Sequence, residues 1–183
     1  MTDALKVLII EDDPDIVLGC EQALQLEGIA CESVGSAEQA RRRLSRDFAG
    51  IVVSDIRLPR MDGMAFLREL VAMDPELPVV LITGHGDISM AVQAMKDGAQ
   101  DFIQKPFAPE TLVGAVRRAL ERRRLVLEVR ALRQQLQQRD SLEHRLIGRA
   151  PNMRQLRQML TGLAQSAADV LIQGETGTGK ELV

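Results

Sequence analysis

Ile51-Val52-Val53-Ser54-Asp55-Ile56-Arg57-Leu58-Pro59-Arg60-Met61-Asp62-Gly63 is the stretch on which the fold turns. Three β-branched apolar residues and a serine run into a carboxylate, and Pro59 and Gly63 punctuate the residues beyond it. A short apolar run bounded in this way predicts a strand buried on both faces, followed by a turn. The plain explanation for an acid at its tip is that Asp55 caps that turn. The ends of the other expected strands argue for more.

Apolar strand segments recur at residues 7–10, 29–34, 51–54, 79–83 and 101–104. Between them lie stretches with helical apolar spacing. One stripe is Ile16, Cys20, Ala23, Leu24, stopped by Gly28; another is Leu67, Leu70, Val71; a third is Ile88, Ala91, Val92, Met95, stopped by Gly98. These stripes are the expected core faces, so on the third helix Met90 and Ala94 are expected to be exposed, as part of a partner-binding surface. Strict alternation of strand and helix predicts an α/β fold with one parallel sheet and right-handed crossovers. Its five-stranded form has the order 2-1-3-4-5, with ligands beyond the carboxyl ends of the strands.

Those ends carry the chemistry. The first strand runs into Glu11-Asp12, the third into Asp55, the fourth into Thr83 and the fifth into Lys105. In a parallel sheet they share one edge, so three carboxylates, a hydroxyl and an ammonium are expected in one pocket. Asp13 precedes Pro14 and is read as a helix N-cap with proline at the first helical position. Asp62, before Gly63, is read as a turn or cap residue.

Crowded carboxylates repel unless a cation joins them, and hard oxygen donors favour Mg²⁺. Asp12 and Asp55 are expected as direct ligands and Glu11 as a ligand through water; Arg57 is set beside them in the metal group. A carboxylate can act as the nucleophile in phosphoryl transfer. Asp55, on the central strand, is the candidate, with Lys105 and Thr83 placed to bind the transferred oxygens. A bare ion pair between Asp12 and Lys105 would leave the other acids unexplained.

Composition agrees with a globular protein: 183 residues, 45% hydrophobic and 27% charged, with net charge -3. The negative balance argues against the whole chain being a nucleic-acid binder. Only 2% of residues are aromatic, with no Trp or Tyr, which disfavours base-stacking platforms. Cys20 and Cys31 are expected as free thiols in a reducing cytoplasm. Neither a signal peptide nor an apolar run of the ~20 residues that a membrane span needs is present.

Glu11-Asp12, Asp55, Thr83 and Lys105-Pro106-Phe107, with the run from Asp55 to Gly63, resemble the receiver domain of two-component response regulators over about the first 120 residues. The resemblance implies the flavodoxin/CheY-like sheet order, phosphorylation of Asp55 by a sensor histidine kinase, and slow self-catalysed dephosphorylation. It also implies that Thr83 and Phe102 form a switch pair and that Lys105-Pro106 is a cis peptide. Glu11 stands where many members have Asp, and Phe102 where Tyr is frequent.

The last receiver helix opens near Pro109 and meets no breaker until at least Gln138. Leu125, Val129, Leu132 and Leu136, spaced four-three-four, fit a short coiled coil. Arg117, Arg118, Arg122, Arg123, Arg124 and Arg130 are read as its solvated face, since Glu121 and Glu128 interrupt any basic stripe. A homodimer through this linker, residues 121–143, and through helices four and five is expected. Beyond it, a helix at 152–164 and a strand at 169–173 lead into Gly174-Glu-Thr-Gly177-Thr-Gly179-Lys180-Glu181. This is a phosphate-loop pattern for nucleotide, with Glu181 where Ser or Thr usually contacts Mg²⁺. That variant resembles the AAA+ module of NtrC-type activators of sigma-54 RNA polymerase. The implied organisation is a receiver at 1–120, a linker at 121–143 and the start of an ATPase at 144–183, with ATP, polymerase and DNA engaged by a longer protein. The chain stops at Val183, before any second acidic strand or arginine finger, so ATP hydrolysis is not expected of it alone.

Two rival readings compete with this one. Asp13-Pro-Asp15-Ile-Val17 fits the nucleophile motif of haloacid-dehalogenase phosphatases, but the downstream acidic pair is missing. A flavin module would need backbone donors where the first turn is acidic.

Overall fold

The structure is a computed structural model that describes residues 5–84, 88–139, 146, 150–163, 171, 173 and 175. Five parallel strands, β1 (Lys6–Ile10), β2 (Cys31–Val34), β3 (Gly50–Asp55), β4 (Val79–Thr83) and β5 (Asp101–Gln104), form one sheet in the order β2-β1-β3-β4-β5. The helices are α1 (Pro14–Leu26), α2 (Ala37–Arg41), α3 (Gly63–Met73), α4 (Ile88–Lys96), α5 (Pro109–Arg139) and α6 (Pro151–Leu163). The chain forms two compact units, Met1–Glu128 and Val129–Val183.

Both faces of the sheet are covered, which is why its strands read as continuous apolar runs. Side chains alternate between faces along a strand. Leu8, Ile10, Val52, Val79 and Leu81 pack with α2, α3 and Ala94 of α4. Val7, Ile9, Ile51, Val53, Val80, Ile82 and Ile103 pack with Cys20 and Leu24 of α1 and with Leu112, Ala115, Val116 and Ala119 of α5. β3, in the middle, is buried along its whole length.

Local chemistry sets the boundaries. Asp13 caps α1 by accepting the Asp15 N–H at 3.0 Å, with Pro14 at the first helical position, and Asp62 caps α3 by accepting the Met64 N–H at 3.2 Å. Gly28, at φ 68°, ends α1 in the left-handed region that favours glycine. The strand expected at 29–34 begins only at Cys31, because the Ile29 N–H returns to Leu24 O at 2.9 Å to close the helix end.

Two expectations for the helices are overturned. On α4 the buried face is Ala94, with no exposed surface, together with half-buried Met90, while Ile88, Val92 and Met95 are 85%, 47% and 50% exposed. The small Ala94 is the residue of α4 that enters the core, and the greasier stripe faces out. On α5, Arg123 is buried rather than solvated; it continues the core stripe of Leu112, Val116 and Ala119 at the next i+4 position. The linker stripe of Leu125, Val129, Leu132 and Leu136 is exposed.

In the second unit α6 matches the expected helix, and Arg157 donates to Leu146 O at 2.6 and 3.0 Å. Of the strand expected at 169–173, the described residues Leu171 and Gln173 are not in a strand. A strand exists only by pairing, and no ladder involving either is present among the described residues. Gly174, Gly177, Gly179, Lys180 and Glu181 lie outside the described residues.

Candidate functional site

Parallel alignment brings the carboxyl ends of β1, β3, β4 and β5 to one rim, and the alternation of side chains decides which residues meet there. Residues 7, 9 and 11, residues 51, 53 and 55, and residues 103 and 105 share the face covered by α1 and α5. Lys105 Nζ accordingly donates to Glu11 Oε2 and to Asp55 Oδ2, each at 2.6 Å. Asp12 falls on the opposite phase and is exposed. The acid bonded to the lysine is therefore Glu11.

Asp55 is buried and firmly held. Its Oδ1 accepts the Arg57 N–H at 3.0 Å, and its main-chain oxygen accepts from the Ser54 hydroxyl at 3.0 Å. The turn after it is tight: Gly63 N–H donates to Ile56 O at 2.7 Å, and a Cβ at Gly63 would fall 2.4 Å from Asp55 O. Only glycine leaves room there. The Asp-Gly pair in the sequence signals a turn but not this close approach to the acid.

Thr83 and Phe102 belong to the other face, with α3 and α4. Leu81 pairs with Phe102 and Thr83 with Gln104, so Thr83 and Phe102 occupy diagonal positions on neighbouring strands. Thr83 is buried and its main-chain oxygen accepts the Lys105 N–H at 2.7 Å; Phe102 is half-buried against the core. Lys105-Pro106 is cis.

The electrostatics are uneven. Burial raises the Glu11 pKa above its ordinary 4.5; the charge of Asp55 acts in the same sense and the Lys105 hydrogen bond opposes both. Burial by itself would lower Lys105, but hydrogen bonds to Asp55 and Glu11 outweigh it and hold the ammonium above 10.5. The net balance thus favours the charged form of the lysine, whereas at the glutamate burial and the Asp55 charge outweigh what the ion pair gives. The difference follows from position: Lys105 faces two anions, whereas Glu11 is more deeply buried and faces one cation and one anion. Burial pushes the Cys20 thiol up to about 11, which leaves it a poor nucleophile, and both cysteines are free.

The donors are hard carboxylate oxygens, two of them forced together at the rim, so their chemistry fits a hard dication. Among the described residues no group of three or more acid, His or Cys side chains is arranged to hold a metal. The arrangement can present a buried carboxylate as nucleophile and offer an ammonium to anionic oxygens. Asp13, the nucleophile of the phosphatase reading, is spent on capping α1, and that reading is not supported.

Comparison with known proteins gives two family matches: a response regulator receiver domain over residues 7–117 and a sigma-54 interaction domain over residues 146–183. The chain is 52% identical, over its whole length, to the C4-dicarboxylate transport transcriptional regulatory protein DctD of Rhizobium meliloti, of which it covers 40%. It is 51% identical over 97% of its length to the protein of the same name from Pseudomonas aeruginosa, covering 38% of it. The chain thus spans about 40% of the length of these curated relatives. Among solved structures, the receiver domain of NtrX from Brucella abortus aligns with TM-score 0.57 and 39% identity, over 63% of this chain and 98% of that one. The beryllofluoride-activated NtrC4 receiver domain dimer aligns with TM-score 0.61 and 29% identity, over 67% of this chain and 99% of that one.

Proposed function

The chain belongs to the response regulator receiver family, of the NtrC and DctD type with the start of a sigma-54 interaction domain, and from that premise we propose that Asp55 is its phosphoryl acceptor. The observation that carries the reading is the Asp55 carboxylate held 2.6 Å from the Lys105 ammonium at the carboxyl rim of the sheet. The donor is a phosphohistidine on a sensor histidine kinase. A carboxylate oxygen of Asp55 attacks phosphorus, the P–N bond to the donor imidazole breaks as the P–O bond forms, and the imidazole leaves as it takes up a proton.

Lys105 faces the transferring oxygens and opposes their charge. Glu11, Asp12 and Asp55 would hold Mg²⁺, with Arg57 able to add only its main-chain carbonyl, a guanidinium having no lone pair to give. When bound, that ion supplies further positive charge for the phosphoryl oxygens. Water reaching the acyl phosphate later returns the carboxylate.

Thr83 and Phe102 are the switch pair: the Thr83 hydroxyl turns to the phosphoryl group, and Phe102 repacks on the neighbouring strand. The exposed apolar face of α4 and the start of α5 form one surface that responds, and the linker stripe pairs with a second copy in a coiled-coil homodimer. In a longer protein these changes control assembly of a sigma-54-activating ATPase that binds ATP and works on RNA polymerase and DNA. A cytoplasmic setting fits the free thiols, and no helix among the described residues is long and apolar enough to cross a membrane.

Acetyl phosphate with Mg²⁺ tests the assignment by intact mass. The parent chain is expected to gain one phosphoryl group and Asp55→Asn none, while Asp13→Ala still labels. Full labelling of Asp55→Asn would overturn it.

A further inference from the structure

At the rim opposite Asp55 lies a second polar centre that the phosphoryl chemistry does not use. The side chains of Arg123 and of Asp74, the residue that caps α3 at its carboxyl end, have no exposed surface. The Arg123 guanidinium makes five hydrogen bonds: Nε to Phe48 O (3.1 Å), Nη1 to Asp74 Oδ2 (2.8 Å) and Glu76 O (3.2 Å), and Nη2 to Phe48 O (2.8 Å) and Arg46 O (3.3 Å). That matches the number of N–H groups a guanidinium possesses. Asp74 is fixed in turn, its Oδ1 accepting the Glu76 N–H at 3.0 Å. One side chain of α5 thus grips the segments that lead into β3 and β4.

The grip is directional. An apolar residue at 123 would continue the stripe of Leu112, Val116 and Ala119 with contacts that tolerate a small rotation, whereas a planar fork seated on fixed main-chain oxygens tolerates little. A helix turns about 100° per residue, so Leu125, two residues on, points about 200° away from Arg123. Leu125 is half exposed and begins the linker stripe.

We infer that Arg123 sets the rotational phase of α5 on the receiver and thereby decides which face of the linker helix is offered to a second copy of the chain. It is a positioning residue for the dimer, and the inference rests on the homodimer proposed above. Removing the arginine alone would leave a carboxylate buried without its cation, which confounds stability with phase. Replacing both partners by neutral groups separates the two.

The test uses the 183-residue chain with Cys20→Ala and Cys31→Ala and one new cysteine, L125C on the stripe or R124C beside it, oxidised to form cross-links between copies. With Arg123 present, cross-linking at 125 is expected to outpace that at 124 by about tenfold, because a disulfide demands close and correctly aimed Cβ atoms. Asp74→Asn with Arg123→Met is expected to recover the melting temperature lost in Arg123→Met alone, yet to bring the two positions near parity. Arg123→Lys keeps a charge for Asp74 without the fork and is expected to lose the preference as well; it decides the matter if the double variant fails to fold. A tenfold preference retained in the folded variants would make Arg123 a structural ion pair only and overturn the inference. Should the parent chain be monomeric and cross-link at neither position, the dimer reading fails by itself. Amide exchange over 120–128 then judges the grip: about tenfold faster exchange in the folded variants, with α1 unchanged, upholds it, and unchanged exchange overturns it.

Discussion

The Lys105 ammonium stands 2.6 Å from the Asp55 carboxylate although 50 residues of chain separate them. Asp55 sits at the last residue of the central strand and Lys105 one residue beyond an edge strand, so the contact is made by sheet order and side-chain phase. A phosphoryl group on Asp55 would carry its oxygens to the same ammonium.

Lys105→Met is expected to slow acetyl phosphate labelling of Asp55 by roughly 10²-fold, the usual effect of losing one preorganised charge donor. The raised pKa means the ammonium is present in the folded state at every physiological pH. Its stabilising contribution holds below the unfolded value and is lost only as pH climbs past 10.5. Labelling followed by mass at fixed Mg²⁺ checks the rate; an unchanged rate removes Lys105 from the chemistry.

Glu11 works in the other direction. A carboxyl whose folded pKa is raised binds its proton more tightly folded than unfolded, so stability falls as pH rises from 4.5 through the raised value and stays lowered above it. Glu11→Gln is therefore expected to melt above the parent chain at pH 7, with the gap narrowing as pH approaches 4.5. Circular-dichroism melts across that range check the sign; a lower melting temperature at pH 7 would mean that the lysine bond outweighs burial.

On α4, Ala94→Leu is expected to lose about 1–3 kcal/mol through overpacking, while Val92→Ser stays within roughly 0.5 kcal/mol of the parent. Urea titration distinguishes this from the reverse order, which the apolar stripe of the sequence would give.

Gly63→Ala is expected to lower stability and labelling together, because the added methyl would meet Asp55 O at 2.4 Å and Ile56 Cα at 2.7 Å, both main chain. A neighbour that must shift is the residue carrying the acid. Normal labelling in a stably folded Gly63→Ala would show that the turn can widen without moving it.

Leu132→Asp places a charge in the linker stripe and is expected to give a monomer by light scattering at concentrations where the parent chain is a dimer. A parent chain that stays monomeric at every concentration would end the coiled-coil reading.

Much of the fold was legible because α/β alternation and apolar strands predict a parallel sheet, and the observed order is one of the few common to doubly wound sheets. The meeting of Asp55 and Lys105 was legible too, from strand ends that share one edge. The choice between Glu11 and Asp12 could also have been made from phase: 7, 9 and 11 run in step with 51, 53 and 55. What misled was hydrophobicity used as a proxy for burial. On α4 the small Ala94 is inside and the bulkier apolar residues are outside. On α5 an arginine occupies a core position because its partners, Asp74 and three main-chain oxygens, come from loops far away in sequence. In the stretch at 169–173 the apolar pattern signalled a strand, and the two residues described there, Leu171 and Gln173, are not in one.

The fork at Arg123 has a practical corollary for anyone trimming or grafting this receiver. The family match ends at residue 117, and a cut made there would remove the guanidinium that ties Asp74 to the segments leading into β3 and β4, together with the helical turn that carries it. A chimera that borrows another protein's output helix should place its seam after residue 123. Three of the four groups that receive the arginine are carbonyls of the chain itself, so the path of the flanking loops must be kept, along with the Asp74 side chain and the buried Phe48 and Leu77.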